Sequence, residues 1–199
     1  MRLKVLERGL RPLQHAQLRL IEWYAGYVPG PIVVLSYRRG FFGKYFARIL
    51  QLAMRRASAW RVGDVELFAA FVSQQNQCTY CLGDHTAVAE LALKDRDLIQ
   101  ATLANWRSAP GNEQRRAMLG FLEKLTLRPS AVGDNDIQQL RDAGLSDLAI
   151  EEAIEVCFAF TIVNRLADAL DFDIPSGAAT QRAARILFTG GYGMASLPG

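Results

Sequence analysis

The sequence predicts an all-α protein of one domain. Apolar residues recur at helical spacing along nearly the whole chain, and no stretch of useful length alternates as a strand would. A chain of 199 residues, half of them apolar, supports one hydrophobic core, and a net charge of only +3 excludes disorder of the whole chain. We therefore expect a single domain over residues 1–199.

Five helices are predicted in the first half of the chain. They cover residues 13–24, 41–57, 64–75, 78–93 and 95–104. The first helix ends at the segment from Gly26 to Pro31, because its two prolines cannot continue a regular helix. The apolar run from Ile32 to Tyr37 is too short to separate helix from strand, so its conformation stays open.

Four more helices are predicted in the second half. They cover residues 112–127, 134–143, 146–170 and 178–188. Pro129 follows the first of them, Gly144 is a typical residue after a helix C-terminus, and Ser146 is a typical N-cap. The segment 190–199 is rich in glycine, and we expect it to be a flexible tail.

Charge is distributed unevenly along the chain. Residues 24–62 include seven basic side chains and no acidic one, whereas residues 134–173 include ten acidic ones. Arg48, Arg55 and Arg56 lie among apolar residues, which is typical of a core helix with a basic outer face. Such a face favours solvent or a subunit contact over nucleic acid, and the opposite charges of the two stretches suit self-association.

No segment of the sequence predicts membrane insertion. The best candidate, residues 153–163, contains Glu155 and falls short of the ~20 apolar residues that a spanning helix needs. Charged side chains near the N-terminus interrupt any signal-peptide pattern. We expect a cytoplasmic protein that binds neither membrane nor nucleic acid. Three cysteines are too few for a disulfide scaffold, so in a reducing compartment each needs its own explanation.

The segment from Asn76 to His85 carries a Cys-X-X-Cys pair, Cys78 and Cys81. On a helix of about 100° per residue, both cysteines and His85 lie on one stripe. We expect Asn76 to be the N-cap, which places the thiols in the first turn. Free N–H groups and the helix dipole there lower the pKa of a thiol. Two thiols one turn apart can form a disulfide, and the imidazole can exchange a proton with the nearer thiol.

Glu66 belongs to the same candidate site if the chain folds back between two helices. On one unbroken helix it would lie about 18 Å from Cys78, too far to cooperate. If the chain instead reverses around Gln75 and Asn76, residues equidistant from the turn become neighbours, and Glu66 then faces His85. A carboxylate beside an imidazole beside a thiol has the order of an activated nucleophile.

Two other interpretations of the cysteine pair stay open. Cys78, Cys81 and His85 could ligate zinc, but a structural zinc site needs four ligands, and His15 and Cys157 are the only other soft candidates. The pair could also be two incidental buried thiols. We expect Cys157 itself to be a core residue, because its neighbours in the sequence are apolar.

These residues resemble a known motif. Glu66, eleven residues, Cys78-X-X-Cys81, three residues and His85 are similar to the core motif of the alkyl hydroperoxidase D-like branch of the carboxymuconolactone decarboxylase superfamily. The resemblance covers about residues 41–175. Three later segments look like the longer, peroxidase-related members of that branch, namely residues 123–127, 144–147 and 164–168.

The resemblance implies an all-helical fold with a thiol-dependent peroxidase site and no cofactor or metal. Cys81 would be the peroxidatic thiolate, Cys78 the resolving thiol, and His85 with Glu66 the proton relay. A peroxide would be the substrate, and an external dithiol or disulfide reductase would restore the thiols. Some members have histidine where this chain has Tyr80, which removes a possible extra relay group. Decarboxylase activity is disfavoured, because the true lactone decarboxylases generally lack the cysteine pair.

The resemblance also implies a homo-oligomer, commonly a trimer or hexamer. A second hypothesis of a different class is a non-catalytic redox sensor or assembly module, in which the disulfide alters association. A zinc-binding structural module is a third. Peroxide turnover separates the first from the second, and metal content separates the third from both.

Overall fold

The computed structural model describes residues 1–193 and 195–198, and that part of the chain contains helices and no strands. The all-α prediction is therefore confirmed, and each of the nine predicted helices has a counterpart. The α-helices are α1 (Lys4–Arg8), α2 (Pro12–Ala25), α3 (Gly30–Tyr37), α4 (Lys44–Arg55), α5 (Val62–Gln75), α6 (Thr79–Leu93), α7 (Arg96–Asn105), α8 (Glu113–Leu127), α9 (Asp134–Asp142), α10 (Asp147–Leu170) and α11 (Gly177–Gly190).

Capping residues set the ends of the helices that the sequence located best. The Ser146 hydroxyl accepts a hydrogen bond from the Ala149 N–H at 3.2 Å, so α10 begins as predicted. Gly144 has a φ of +83°, the left-handed conformation that favours glycine after a helix. The open segment, residues 32–37, is helical and lies within α3.

The predicted helix over residues 41–57 begins differently. A π-helical turn at Arg39–Gly43 precedes α4, and α4 itself ends at Arg55. Gly43 lies where α4 passes α3, and a Cβ at that position would collide with the Leu35 carbonyl oxygen. The close crossing of the two helices therefore requires glycine at this turn.

The site is built on the hairpin of α5 and α6 at the centre of the molecule. Nearly every side chain of α5 from Gly63 to Ser73 is buried. α5 packs along α6 and lies against α8 and α10, while α11 covers the other side of α6. Apolar residues therefore surround the hairpin, and a polar group on its inner faces must find its partners within the protein.

Asn76 is not the N-cap of α6, as the sequence predicted. Asn76 is the C-cap of α5. Cys78 is the N-cap of α6, which begins at Thr79. Gln77 between them has a φ of +61°, which reverses the chain within two residues. The Cys78 N–H then donates to the Ser73 carbonyl at 2.9 Å and closes the turn.

The segment after Gly190, for which we expected a flexible tail, packs against the body through Tyr192, Ser196 and Leu197, while Gly193 and Pro198 are exposed. Gly191 ends α11 with a φ of +67°, and the Tyr192 N–H donates to Gln51 at 2.6 Å. Tyr192 and Leu197 are buried. A tyrosine and a leucine placed among the glycines supply the apolar area that holds the segment down. Met194 and Gly199 lie outside the described residues.

Two further predictions concern the core and the membrane. Cys157 is buried on α10 and its thiol lies 3.5 Å from the Thr126 hydroxyl, so the prediction of a core thiol is confirmed. Within residues 1–193 and 195–198, no helix is both long and apolar enough to cross a membrane.

Candidate active site

The α5–α6 hairpin brings Glu66 and His85 together, as the symmetry of the turn predicts. His85 Nδ1 lies 2.7 Å from Glu66 Oε2, and both side chains are buried. An ionised carboxylate only accepts hydrogen bonds, so Nδ1 carries the proton of this contact. In neutral imidazole Nε2 then has no proton and can act as a base.

Glu66 is sealed from solvent by two residues that the sequence did not assign to the site. Arg55 Nη1 donates to Oε1 at 2.7 Å, and the Tyr192 hydroxyl lies 3.0 and 3.1 Å from the two carboxylate oxygens. Burial alone would raise the pKa of Glu66, but His85 and Arg55 outweigh it, and the pKa is lowered. Glu66 is therefore a stable anion in the interior.

Arg55 corrects the interpretation of the basic stretch. Its side chain is only 12% exposed and points into the protein rather than to a basic outer face. It also donates to the carbonyl oxygens of Met54 and Leu187, each at 2.7 Å, and its guanidinium lies 4.9 Å from the centre of the Tyr192 ring. Helical periodicity does not mark it, because the residue after the core residue Met54 lies about 100° round the helix.

The two thiols are buried, unpaired by any disulfide, and coupled to each other. Hydrogen bonding with Cys81 lowers the pKa of Cys78, whereas hydrogen bonding with Cys78 and then burial raise the pKa of Cys81. The prediction that both pKa values fall is therefore wrong for Cys81. The pair loses its first proton readily and its second with difficulty, because two adjacent thiolates would repel.

Polar side chains of α5, its C-cap and α10 form a hydrogen-bonded network next to Cys81. Asn164 favours its thiolate and donates to the Ser73 hydroxyl at 2.9 Å. Asn76 in turn donates to the Asn164 side-chain oxygen at 2.9 Å. Asn164 is 1% exposed, so this amide network is a buried polar layer whose members satisfy each other.

A cavity of about 500 Å³ opens onto this site, a size suited to an organic molecule. Cys81 and His85 line it, whereas Cys78 is not among the described residues of its wall. Trp23, exposed by 81%, and Tyr24, exposed by 66%, stand at the rim. The wall is almost entirely apolar, and its other aliphatic and aromatic members include Leu20, Ile21, Ile32, Leu50, Phe160, Val163, Ile186 and Leu187.

The carboxymuconolactone decarboxylase family model matches residues 42–124, the part of the chain that holds Glu66, both paired cysteines and His85. An uncharacterised peroxidase-related protein from Silicibacter sp. TM1040 has the same fold at a TM-score of 0.75 and 25% identity, over 87% of this chain and 90% of that one. Residues 42–124 thus match the carboxymuconolactone decarboxylase family, and the chain as a whole has the fold of AhpD-like, peroxidase-related proteins.

Two more solved structures share the fold at lower identity. An alkylhydroperoxidase AhpD core protein from Ralstonia eutropha JMP134 has a TM-score of 0.72 and 22% identity, over 90% of this chain and 93% of that one. The debrominase Bmp8 has a TM-score of 0.69 and 19% identity, over 88% of this chain and 92% of that one. No curated protein matches the chain.

Much of this AhpD-like site comes from outside the segment that the family model matches. Tyr27 precedes that segment, while Phe160, Asn164 and Tyr192 follow it. Phe160 packs edge-on against the His85 ring with 4.4 Å between ring centres, which holds the imidazole in place. No short motif marks these residues, because each reaches the site through the packing of a distant element.

Asp84 lies within the motif, between Cys81 and His85, and has no part in the predicted relay, although it lines the cavity beside Cys81. The Tyr27 hydroxyl lies 3.5 Å from Asp84 Oδ2, and the Tyr80 phenol interacts with both groups. Burial raises the pKa of Asp84, and burial followed by the charge of Asp84 raises the pKa of both tyrosines. Tyr80 therefore both packs edge-on against Phe172, with 5.4 Å between ring centres, and contributes its hydroxyl to this cluster.

One predicted contact and the alternative zinc site are absent from the described residues. No hydrogen bond joins Cys81 directly to His85 there, although both line the cavity one helical turn apart. Catalytic hydrogen bonds in unliganded sites are often longer than in the substrate complex. In the same part of the chain, no group of three or more His, Cys, Asp and Glu residues is arranged to hold a metal ion.

Proposed function

We propose that this protein is a thiol-dependent peroxidase that reduces an organic hydroperoxide. One observation carries the proposal: Cys81 and His85 share the wall of a cavity, while Glu66 holds the other nitrogen of His85 from the sealed side. That is the order of orienter, base and nucleophile that activated cysteines use. The kinship with peroxidase-related proteins of the same superfamily supports it.

Activation begins with the loss of one proton from the thiol pair. His85 Nε2 accepts it through water or substrate, and the buried Glu66 anion stabilises the imidazolium that results. The remaining proton is shared between the two sulfur atoms. When it moves from Cys81 to Cys78, the negative charge lies on Cys81, the sulfur that faces the cavity.

The Cys81 thiolate then attacks the terminal oxygen of the hydroperoxide. A sulfur–oxygen bond forms as the oxygen–oxygen bond breaks, so Cys81 is oxidised to a sulfenic acid and the peroxide is reduced to an alkoxide. The alkoxide takes up a proton and leaves as an alcohol. Apolar walls keep bulk water away from the sulfenic acid until the next step.

Cys78 resolves the intermediate. Its sulfur attacks the Cys81 sulfenic acid, hydroxide leaves with a proton from His85, and a disulfide forms together with water. An external dithiol or disulfide reductase then returns both thiols, as a reducing compartment such as the cytoplasm provides. Cys78 lies beside the exposed Asp168, close to the surface at which such a reductant would act.

The test is peroxide turnover with a dithiol donor. We expect Cys81→Ser to lose turnover and Cys78→Ser to stop after one equivalent, with Cys81 accumulating as the sulfenic acid. Cys157→Ser is the matched control, since Cys157 is a buried thiol outside the cavity, and it should keep the activity of the unmodified protein. Equal rates in all four proteins would refute the proposal.

The same experiment addresses two other functions. A dithiol can reduce other two-electron acceptors. The debrominase Bmp8, a variant of which was solved in complex with 2,3,4-tribromopyrrole, shares the fold, so a brominated pyrrole belongs in the substrate panel. A redox sensor would form the disulfide and change its oligomeric mass without turnover. Mass measurements on the reduced and the oxidised protein distinguish that role from catalysis.

We further propose that the chain associates with copies of itself. Phe41 in the π-helical turn and Tyr45 at the start of α4 are exposed by 84% and 56% in the basic stretch of the chain, while Phe158 is exposed by 53% on the acidic α10. Exposed aromatic side chains on surfaces of opposite charge are typical of subunit contacts. Light scattering at two ionic strengths should give a mass above that of the monomer, which is 22.1 kDa.

A further inference from the structure

Asp84 is a second buried carboxyl at the site, and unlike Glu66 it lines the cavity. It lies three residues after Cys81 and four after Tyr80 on α6, so the three side chains share one face of the helix. It lines the cavity together with Cys81, whereas Glu66 is fully enclosed and does not reach it. Of the two carboxyls, only Asp84 can touch a molecule held against the Cys81 sulfur.

The surroundings of Asp84 keep it neutral more readily than those of Glu66. Glu66 is paired with Arg55, while no ion pair within residues 1–193 and 195–198 includes Asp84. Its partners are the hydroxyl groups of Tyr27 and Tyr80, in a wall that is otherwise apolar. A carboxyl that is desolvated and lacks a cation holds its proton to a higher pH than usual.

We propose that Asp84 is a catalytic residue that donates its proton to the alkoxide released from the substrate. The proposal rests on the peroxidase function given above and adds a general acid to it. Glu66 cannot fill this role because it is sealed and ionised. His85 also lines the cavity, but in this scheme the proton on its Nε2 goes to the hydroxide that leaves when the disulfide forms, so the alkoxide needs a second donor.

The protons then balance over one cycle. Asp84 gives its proton to the alcohol as the oxygen–oxygen bond breaks, and becomes a carboxylate. When Cys78 attacks the sulfenic acid, its thiol proton passes to Asp84 and restores the neutral carboxyl, while the proton on His85 leaves in the water. Two thiols and one hydroperoxide thus give one disulfide, one alcohol and one water, with both carboxyls and the imidazole in their starting forms.

The cavity also defines the class of substrate. Hydrogen peroxide would fill a small part of about 500 Å³, and the apolar wall would give it no favourable contact. A hydroperoxide with a bulky alkyl or aryl-alkyl group fits this wall. Such a substrate releases a strongly basic alkoxide, for which a proton donor lowers the barrier most.

The test compares two substrates with different leaving groups. Cumene hydroperoxide releases an alkoxide that needs a proton, whereas 3-chloroperoxybenzoic acid releases a carboxylate that does not. For Asp84→Asn, we expect kcat/KM with cumene hydroperoxide to fall by about 10²- to 10⁴-fold and with the peroxy acid to stay unchanged. Glu90→Gln is the matched control, since Glu90 is a carboxylate of the same helix that bonds to Gln100 outside the cavity.

Each outcome bears on the proposal in a different way. An equal loss with both substrates would overturn the general-acid role, because a misfolded or distorted site affects both alike. No loss with either substrate would overturn it too. If the unmodified protein reduces neither peroxide, the peroxidase function itself is refuted, and the role of Asp84 falls with it. Only a loss confined to cumene hydroperoxide supports the assignment.

Discussion

Two buried clusters near His85 contain the same chemical groups but differ in the pKa of their carboxyl. The sealed cluster consists of Arg55, Glu66 and Tyr192, and the cavity cluster of Tyr27, Tyr80 and Asp84. Each contains one carboxyl and at least one phenol. Only the sealed cluster contains a cation, and the pKa of its carboxyl is lowered, whereas that of Asp84 is raised.

Burial alone therefore does not decide whether the pKa of a carboxyl is raised or lowered. Glu66 is compensated for its lost hydration first by the hydrogen bond with His85 and then by the Arg55 guanidinium, each at 2.7 Å. The charge of His85 and the hydroxyl groups of Tyr80 and Tyr27 compensate Asp84 only in part. Paired groups whose pKa values are driven apart are typical of an acid and a base at one site. Variants of Glu66, Tyr192 and Asp84 test this contrast through their effects on stability and turnover.

Replacing Glu66 should have the largest effect. Glu66→Gln leaves Arg55 as a buried cation without its partner, and breaking a buried ion pair on one side costs about 3–5 kcal/mol of the free energy of unfolding. Peroxide turnover should fall as well, because His85 loses the anion that stabilises its imidazolium. Urea unfolding and initial rates measure the two effects. A smaller loss of stability than in Asp84→Asn would contradict the contrast.

Tyr192→Phe tests the sealed cluster more gently. It removes a hydroxyl that binds the Glu66 carboxylate but keeps the ring beneath Arg55. A hydrogen bond to a charged group is worth about 1.5–3 kcal/mol, so we expect a loss of that size in urea unfolding. In the double variant with Glu66→Gln, the two losses should be less than additive, since both act on one network. Simple additivity would show that Tyr192 acts independently of Glu66.

Asp84→Asn should have the smallest effect on stability and the opposite sign. The folded protein raises the pKa of Asp84 above its ordinary value of 3.8, so the stability that Asp84 contributes is present below that value and is lost as pH rises through the folded pKa. At neutral pH the amide avoids this loss, and the thermal midpoint of the variant should rise by a few degrees at most. The groups that face Asp84 are Tyr27, Tyr80, Cys81, His85 and, more distantly, Glu66 and Tyr192.

The pH dependence of that difference is the sharper measurement. The midpoints of Asp84→Asn and the unmodified protein should coincide at acid pH near 3.8 and separate as the solution approaches neutrality. Glu66 behaves in the reverse way. Its lowered pKa contributes stability above its ordinary value of 4.5 that is lost as pH falls through the folded pKa. A difference between the two proteins that does not vary with pH would contradict the assigned shift of Asp84.

Part of the site could be predicted because it depends on local geometry. A tight turn between two helices makes residues equidistant from it neighbours, and this relation placed Glu66 beside His85. The expected N-cap at Asn76 put both thiols at the start of α6, but the N-cap lies two residues later, at Cys78. The positive φ of Gln77 shifts it, and a glutamine does not by itself predict that conformation.

The rest of the site depends on elements that are distant along the chain. Arg55 comes from α4, Asn164 from α10 and Tyr192 from the segment after α11, which the glycine content led us to expect as flexible. Asp84 was visible inside the motif and received no role. Its chemistry depends on being buried in an apolar wall beside hydroxyl groups, and no spacing of residues specifies that.

The helices, the hairpin and the four residues of the thiol motif could be predicted from the sequence. Periodicity, capping and the symmetry of a turn each act over a few residues. The difference between the two buried carboxyls, a lowered pKa for Glu66 and a raised pKa for Asp84, arises from contacts between distant elements. That outcome depends on whether a cation or a phenol lies within hydrogen-bonding distance in a desolvated interior, and the packing of α4, α6 and the segment after α11 sets those distances.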